Sequence, residues 1–147
     1  MSVKIQSVLF VCERNSVRSP MAELLLKHSH GRTIYVDSCG LHNGDLDPFA
    51  VEVMREIGID VSRHQSKTFA ELDDSFFDLI VTLSSDVQHR VEEMMRGSAV
   101  ELELWPISDA TAEQGSRDRR LEAYRFVRDS IQSRILARFP ASSTAPR

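Results

Sequence analysis

The hydrophobic and polar positions of the chain alternate between short apolar runs and stretches with helical spacing. The apolar and β-branched runs predict four strands, at 8–11, 33–37, 76–83 and 100–105. The stretches between and after them predict helices at 19–29, 47–58, 87–96 and 117–138, with a shorter one at 68–72. Because strand and helix alternate, the pattern indicates an α/β fold with a parallel sheet.

Local signals refine these elements. Ser19 is predicted to cap the first long helix, with Pro20 at its first position. The segment 38–45, which holds Gly40 and Gly44, is predicted to be a loop. The last helix carries an apolar stripe expected to face the core, with its arginines on a solvated face. The stripe consists of Leu121, Tyr124, Phe126, Val127, Ile131, Ile135 and Leu136.

The connection between the first strand and the first helix carries candidate chemistry. Cys12 ends the strand and Arg18 lies six residues later, directly before Ser19. A short loop entering a helix directs several backbone N–H groups into one concavity, and a guanidinium suits two oxygens of a tetrahedral anion. The positive electrostatic field of these N–H groups and of the guanidinium favours the thiolate form of Cys12, which is the nucleophilic form. The alternative interpretation, a small buried residue at a strand end, explains Cys12 but not Arg18 and Ser19.

Length, charge and cysteine content restrict the class of protein. The 147 residues fit one domain, predicted at 1–139, with a frayed tail at 140–147. The net charge of −4 gives no support for nucleic acid or anionic membrane as a partner. No apolar run approaches the roughly 18 residues of a membrane span. Two cysteines are too few for a disulfide framework, so a reduced, cytoplasmic protein is expected.

The residues from Cys12 to Ser19, CERNSVRS, resemble the anion-binding loop of the low-molecular-weight protein tyrosine phosphatases and the arsenate reductases of the same fold. The similarity continues through PMAE at 20–23, DSCG at 37–40, DPFA at 47–50, GID at 58–60, HQSK at 64–67, FDLIVT at 77–82 and WPISD at 105–109. It covers 5–139. The resemblance implies a three-layer fold like that of phosphotyrosine protein phosphatase I, with strand order 2-1-3-4 and helices on both faces.

The resemblance also implies roles for individual residues. Catalysis would use Cys12 as nucleophile, Arg18 to bind the anion, Ser19 to assist the thiolate and Asp109 as general acid and then base. The phosphate-binding loop would comprise Glu13, Arg14, Asn15, Ser16, Val17 and Arg18. Ser38 would hydrogen-bond Asn15 and hold the loop in shape, with Cys39 beside it. In some reductase relatives a carboxylate at the position of Lys67 helps to hold potassium, so the lysine here argues against a metal site.

Several residues depart from the family pattern. Arg14 stands where the phosphatases usually have glycine, which adds a second guanidinium beside the pocket. Val17 replaces a second loop cysteine, and Ala110 replaces the proline that follows the acid. Ser84 and Ser85 stand where thioredoxin-coupled reductases place a resolving cysteine. Cys39 is therefore the one internal thiol that could pair with Cys12.

Three functions remain open at this point. The first is a cysteine-dependent phosphatase acting on a phosphorylated small molecule or phosphoprotein. Phosphotyrosine is a weaker candidate substrate, because the loops that line the substrate slot in tyrosine phosphatases hold only one aromatic residue here, Phe49, which is predicted to lie in the helix. The second is an arsenate reductase in which Cys12 works with an external thiol or a thioredoxin- or glutaredoxin-type partner. The third is a weakly catalytic, oxyanion-binding regulatory protein. None of them requires a cofactor or a metal.

Overall fold

A computed structural model describes residues 4–72 and 76–140. Four parallel strands form one sheet in the order β2-β1-β3-β4, which confirms the predicted topology. They are β1 (Ser7–Cys12), β2 (Tyr35–Gly40), β3 (Leu79–Thr82) and β4 (Glu101–Leu104). The predicted tail lies outside the described residues from 141 onward.

Four α-helices surround the sheet: α1 (Arg18–His30), α2 (Pro48–Arg55), α3 (Ser85–Met94) and α4 (Arg117–Arg138). Short 3-10 turns cover Phe69–Glu71 and Ala110–Ala112. The start of α2 follows its sequence, since Asp47 Oδ1 accepts a hydrogen bond from Phe49 N and Pro48 begins the helix. Among the described helices, none combines the length and the apolar composition that a bilayer crossing requires.

Alternation along β1 divides the core between the two faces of the sheet. Val8, Phe10 and Cys12 point toward α1, α2 and α4, whereas Leu9 and Val11 point toward α3. All five are buried. The central strand β1 is thus covered on both faces, as its unbroken apolar run predicted.

Strand β2 is longer than its sequence indicated. The predicted loop at 38–45 is wrong for 38–40, because β2 pairs with β1 along its whole length, from Ser7 with Tyr35 to Cys12 with Gly40. Ser, Cys and Gly have no strong strand preference of their own, so the pairing with β1 decides their conformation. The extension carries Ser38 and Cys39 up to the edge where Cys12 lies.

The start of α1 also differs from the prediction. The helix begins at Arg18, its N-cap is Val17, and no side chain caps it. Ser19 therefore lies inside the first turn, where its hydroxyl contacts Cys12 instead of capping the helix. The N–H groups in the first turn of α1 therefore have no side-chain cap, and they lie next to the loop that follows Cys12.

The bounds predicted for α4 are those observed, but its buried face is narrower than the predicted stripe. Phe126 and Leu136 are exposed, so their placement in the core is wrong. Arg128, predicted on a solvated face, is buried instead. Its Nη1 donates to the carbonyl oxygen of Val53 at 2.8 Å and to Glu56 Oε1 at 2.9 Å. These bonds allow a guanidinium to replace an apolar side chain between α2 and α4.

Candidate active site

The loops at the carboxyl edge of the sheet enclose a cavity of about 430 Å³. It contains the predicted nucleophile, the predicted acid and most of the predicted phosphate-binding loop. Its lining residues are Cys12, Glu13, Arg14, Ser16, Val17, Arg18, Asp45, Leu46, Asp47, Pro48, Asp109 and Thr111. Parallel strands bring their carboxyl ends to one edge, so residues distant in sequence meet here.

Cys12 and Ser19 are in direct contact at the base of the cavity. The Sγ atom of Cys12 lies 2.9 Å from Ser19 Oγ, and both residues are buried. Ser19 Oγ already accepts a hydrogen bond from Asn15 Nδ2 at 2.7 Å. Its own proton therefore goes to Cys12 Sγ or, at 3.3 Å, to the carbonyl oxygen of Cys39. The first choice stabilises a thiolate at Cys12, since a negative sulfur accepts a hydrogen bond strongly.

Asn15 holds the loop in its curved shape. It is the one non-glycine residue with a positive φ, 57°, in the described chain, a conformation that asparagine tolerates better than most residues. Its Nδ2 donates to Ser19 Oγ and, at 3.0 Å, to Ser38 Oγ. The structure thus brings Ser38 to Asn15, as the resemblance implied.

A second group of residues supports Asn15 from behind the loop. Asn15 Oδ1 accepts from Lys67 N at 3.0 Å and contacts His64 Nε2 at 2.8 Å. Because Asn15 Oδ1 is an acceptor, His64 carries a proton on Nε2. Ser66 Oγ donates to the Asn15 carbonyl oxygen at 2.6 Å. The only sequence signal for these contacts was the family-like stretch at 64–67, for which no contact with Asn15 was predicted.

Glu23 connects the hydrogen bonds around Asn15 to helix α1. Ser38 Oγ donates to Glu23 Oε1 at 2.5 Å, and Glu23 Oε2 pairs with Lys27 Nζ at 2.6 Å. Glu23 is buried, which explains why it needs both partners. Lys67 is also paired, with its Nζ 2.8 Å from Asp37 Oδ1. Its ammonium group therefore neutralises Asp37, and no cluster of three or more His, Cys, Asp or Glu side chains that could hold a metal occurs in the described residues.

Arg18 joins the anion-binding loop to the two strands beyond it. Its Nη1 donates to the carbonyl oxygen of Ile107 at 2.9 Å and approaches that of Leu83 at 3.5 Å. The guanidinium is therefore fixed by backbone acceptors on the loops after β3 and β4. Its remaining N–H groups are left for an oxyanion in the cavity.

The outer wall of the loop is fixed by the segment after β2. Arg14 Nη1 donates to the carbonyl oxygen of Asn43 at 3.0 Å, and Glu13 Oε1 lies 3.3 Å from His42 Nε2. A Cβ atom on Gly44 would approach the Arg14 carbonyl oxygen to 2.6 Å. The absence of a side chain at Gly44 therefore permits this close packing.

Asp47 lines the cavity where α2 begins, and its side chain, like that of the nearby Phe49, is held by contacts with other residues. Asp47 Oδ2 accepts from the hydroxyl of Tyr124 at 2.6 Å. Burial, together with Asp47, raises the pKa of Tyr124. The ring of Phe49 packs on Tyr124, and the guanidinium of Arg120 lies 4.6 Å from its centroid. Phe49 is therefore turned away from the cavity.

Cys39 lies on the other face of the sheet from Cys12. In the β1–β2 register Val11 pairs with Cys39, and both belong to the core beneath α3. Cys12 belongs to the core beneath α1. Burial raises the pKa of the Cys39 thiol. In this arrangement the two sulfurs face away from each other, so Cys39 does not serve as an internal disulfide partner.

Comparison with known proteins agrees with this architecture. Residues 7–135 match the family described as low molecular weight phosphotyrosine protein phosphatase. The chain belongs to this family. Among its relatives is the glutaredoxin arsenate reductase of Synechocystis sp., 30% identical over 131 residues, which are 89% of this chain and 94% of the relative. The arsenate reductase of Bacillus subtilis is 34% identical over 128 residues, 87% of this chain and 91% of the relative.

A solved structure of another family member is also similar. It is described as an arsenate reductase in the phosphate binding state, and it is 30% identical to this chain. The match covers 90% of this chain and 95% of the other, with a TM-score of 0.75. Membership in this enzyme family and its fold are thereby established.

Proposed function

We propose that this protein is a phosphatase that hydrolyses phosphate monoesters through a phosphocysteine at Cys12. The proposal is carried by one observation: Cys12, with Ser19 Oγ 2.9 Å from its sulfur, shares a cavity with Arg18 and Asp109. A nucleophile, an anion-binding group and an acid are the parts that this hydrolysis requires.

In the first step the Cys12 thiolate attacks phosphorus. The S–P bond forms as the bond from phosphorus to the ester oxygen breaks, and Asp109 gives its proton to that leaving oxygen. Arg18 and the backbone N–H groups of the loop hold the equatorial oxygens, where negative charge is concentrated. Ser19 stabilises the thiolate before attack and the sulfur when it leaves again.

In the second step water replaces the sulfur. The Asp109 carboxylate takes a proton from water, the water oxygen bonds to phosphorus, and the S–P bond breaks. Inorganic phosphate leaves, the Cys12 thiolate is restored, and Asp109 is protonated for the next cycle. Atoms and charge balance without a cofactor.

The cavity favours a phosphate ester whose organic part is not aromatic. No aromatic side chain lines the cavity in the described part of the chain, and Phe49 is covered by Arg120 and Tyr124. A flat phenyl group would therefore lack a ring to stack on. A phosphorylated small molecule or an aliphatic phosphoprotein side chain suits the site better than phosphotyrosine.

The test is hydrolysis of p-nitrophenyl phosphate, whose activated leaving group makes the organic part unimportant. We expect Cys12→Ser to abolish turnover. Asp109→Asn should lower kcat/KM for phenyl phosphate, whose leaving group needs a proton, by about 10²- to 10⁴-fold, the usual contribution of a general acid, and should lower it less for p-nitrophenyl phosphate. Cys39→Ala and Asp86→Asn are the matched controls, since Cys39 lies on the opposite face of the sheet and Asp86 lies in the first turn of α3. Turnover that persists in Cys12→Ser would refute the proposal.

Arsenate reduction is the second candidate, because the relatives described above are named arsenate reductases. Cys12 would displace water from arsenate and form an S–As bond. An external thiol would then attack the Cys12 sulfur, releasing arsenite, and a second thiol would reduce the resulting mixed disulfide. Both electrons come from the external thiols, since Cys39 faces away from Cys12.

This candidate is separated from the first by its products. Arsenate is supplied with glutathione, mycothiol, or a thioredoxin or glutaredoxin system, and arsenite is measured. Arsenite formation without phosphate ester hydrolysis would favour the reductase. Tight phosphate binding with neither activity would favour the oxyanion-binding regulatory protein. The cytoplasmic location expected from the two free cysteines stays a prediction.

A further inference from the structure

Asp109 is held by its neighbour Thr111 in a turn at the rim of the cavity. Asp109 Oδ1 accepts two hydrogen bonds, one from Thr111 N at 2.9 Å and one from Thr111 Oγ1 at 2.6 Å. Both side chains line the cavity. Asp109 is also the N-cap of the 3-10 turn that follows. Its Oδ1 atom accepts the hydrogen bond from the backbone N–H of Thr111, and Oδ2 takes no part in this cap.

The backbone on both sides of Asp109 is fixed independently of this contact. Upstream, Ile107 N donates to the Leu83 carbonyl oxygen at 3.2 Å, and the Ile107 carbonyl oxygen accepts from Arg18 Nη1. Downstream, the Ala110 side chain is buried in the core. The freedom that remains lies in the side-chain torsions of Asp109, and the Thr111 hydroxyl restrains them.

We propose that Thr111 is the positioning residue of the general acid, because its two hydrogen bonds occupy Asp109 Oδ1 and leave Oδ2 to carry and transfer the proton. An oxygen that accepts two hydrogen bonds acts as the carbonyl oxygen of the neutral acid, so the proton resides on the other one. In the first step the Oδ2–H bond breaks and the proton goes to the leaving oxygen. In the second step Oδ2 takes a proton from water.

This role adds a restraint on the carboxyl group that the fixed backbone around Asp109 does not give. Ala110 has no ring to fix its φ, in contrast to a proline. A side-chain hydrogen bond from Thr111 supplies the missing restraint at the carboxyl group itself. The proposal rests on the phosphatase function proposed above, because a positioned acid matters only where a leaving group needs a proton.

The test compares Thr111→Val with Thr111→Ser on two substrates. Valine has the shape of threonine but no hydroxyl, and serine keeps the hydroxyl. Phenyl phosphate has a poor leaving group that depends on the acid, whereas p-nitrophenyl phosphate depends on it less. We expect Thr111→Val to lower kcat/KM for phenyl phosphate, which reports the step that expels the leaving oxygen, by roughly 10- to 100-fold, the size expected for a displaced catalytic group.

The remaining readouts distinguish positioning from a general structural effect. For p-nitrophenyl phosphate the loss should be smaller, the inhibition constant of inorganic phosphate should not change, and Thr111→Ser should stay within about twofold of the wild type, since the acid remains restrained. In an Asp109→Asn background, Thr111→Val should have no further effect, because the two residues act as one unit.

Each other result has a definite meaning. A wild-type kcat/KM for phenyl phosphate in Thr111→Val would overturn the role of Thr111. The phosphatase function would stand in that case if Asp109→Asn still lost activity. An equal loss on both substrates, or an added loss in the Asp109→Asn background, would also overturn it. A wild-type protein that hydrolyses neither ester would overturn the phosphatase function and the positioning role together.

Discussion

At the scale of single residues, Asn15 determines the geometry of the site. Its backbone is left-handed, and its side chain contacts groups from α1, β2 and the segment at 64–67. No other standard side chain has both an acceptor and two amide donors at this length, because glutamine is longer and aspartate has no N–H. The residue thus meets a backbone requirement and a hydrogen-bond requirement at once.

This gives a prediction for two substitutions. Asn15→Ala leaves the buried hydroxyls of Ser19 and Ser38 with a partner missing, and alanine tolerates the left-handed backbone less well than asparagine does. We expect the free energy of unfolding to fall by about 3 kcal/mol, from the desolvated polar groups together with the strain. Asn15→Gly removes the strain, so it should be about 1 kcal/mol less destabilising.

Urea denaturation of the three proteins measures both values. Phosphate binding should weaken in both variants, because the hydrogen bonds that shape the loop are lost in each. If both variants were as stable as the wild type and bound phosphate equally well, Asn15 would not have the structural role assigned to it.

At the scale of elements, the end of β2 packs directly against the anion-binding loop. A Cβ atom on Gly40 would lie 2.6 Å from the backbone carbon of Arg14 and 2.7 Å from Asn15 N. Because both contacts are with backbone, no side-chain rotation relieves them. The close approach of β2 therefore depends on glycine at this position.

Gly40→Ala should accordingly move the loop away from its present position. We expect phosphate affinity to fall by roughly tenfold or more, the scale of a displacement of about 1 Å at a binding site. Gly97→Ala is the matched control: Gly97 has a φ of +87° but open space around it. That control should lose about 1 kcal/mol of stability and keep its phosphate affinity. Equal phosphate affinity in the two variants, measured by calorimetry, would contradict this account.

The helices and strands show what local sequence could and could not predict. The bounds of α4 were predicted from its run of apolar residues at helical spacing, and in the structure Ser116 caps this helix. The end of β2 was missed because Ser38, Cys39 and Gly40 become strand only through their pairing with β1. Ser19 was assigned to a cap because it resembles one locally, while its contact with Cys12 crosses a loop whose shape depends on residues far away in sequence.

At the scale of the whole molecule, the sheet order and the meeting of Cys12, Arg18 and Asp109 followed from the strand pattern and the family resemblance. Parallel strands impose a common edge, so the placement of these residues needed no side-chain detail. The hydrogen bonds behind the loop, in contrast, could not be predicted without side-chain detail. Glu23 and His64 lie 41 positions apart in sequence, and only packing brings His64 Nδ1 within 3.6 Å of Glu23 Oε1.

His64 also gives the molecule a pH dependence. Burial lowers the pKa of His64 below its ordinary value, and Glu23 opposes that change. The charged groups around the ring are of both signs, with Lys67 and Lys27 favouring the neutral form and Asp37 the charged one. At 3.6 Å the Nδ1 atom makes no hydrogen bond with Glu23, which is consistent with a neutral ring.

The sign of the effect follows from linkage. In the unfolded chain His64 titrates near its ordinary pKa of about 6.5, so the unfolded state takes up a proton first as the pH falls. The stabilising contribution of neutral His64 is complete above that pH and is lost as the pH falls from about 6.5 toward the lower pKa of the folded state.

We therefore expect His64→Gln, which keeps an N–H donor for Asn15, to flatten the loss of stability between about pH 7 and pH 5. The exposed His89 provides the control, since His89→Gln should leave the profile unchanged. Unfolding by urea at a series of pH values measures the profiles. Identical slopes for wild type and His64→Gln would show that His64 does not titrate differently in the two states.

The hydrogen bonds that fasten Asn15 from several sides mean that the anion-binding loop is shaped before any ligand arrives. An anion then meets a population that is almost entirely competent, so its affinity is not divided by a small competent fraction. Because the unfolded chain has no such loop, each tenfold excess of anion over its dissociation constant adds about 1.4 kcal/mol to the stability of the folded state. Inorganic phosphate, the product of the proposed reaction, would thus both inhibit the protein and stabilise its fold. The folded state would be most stable at the phosphate concentrations at which turnover is slowest.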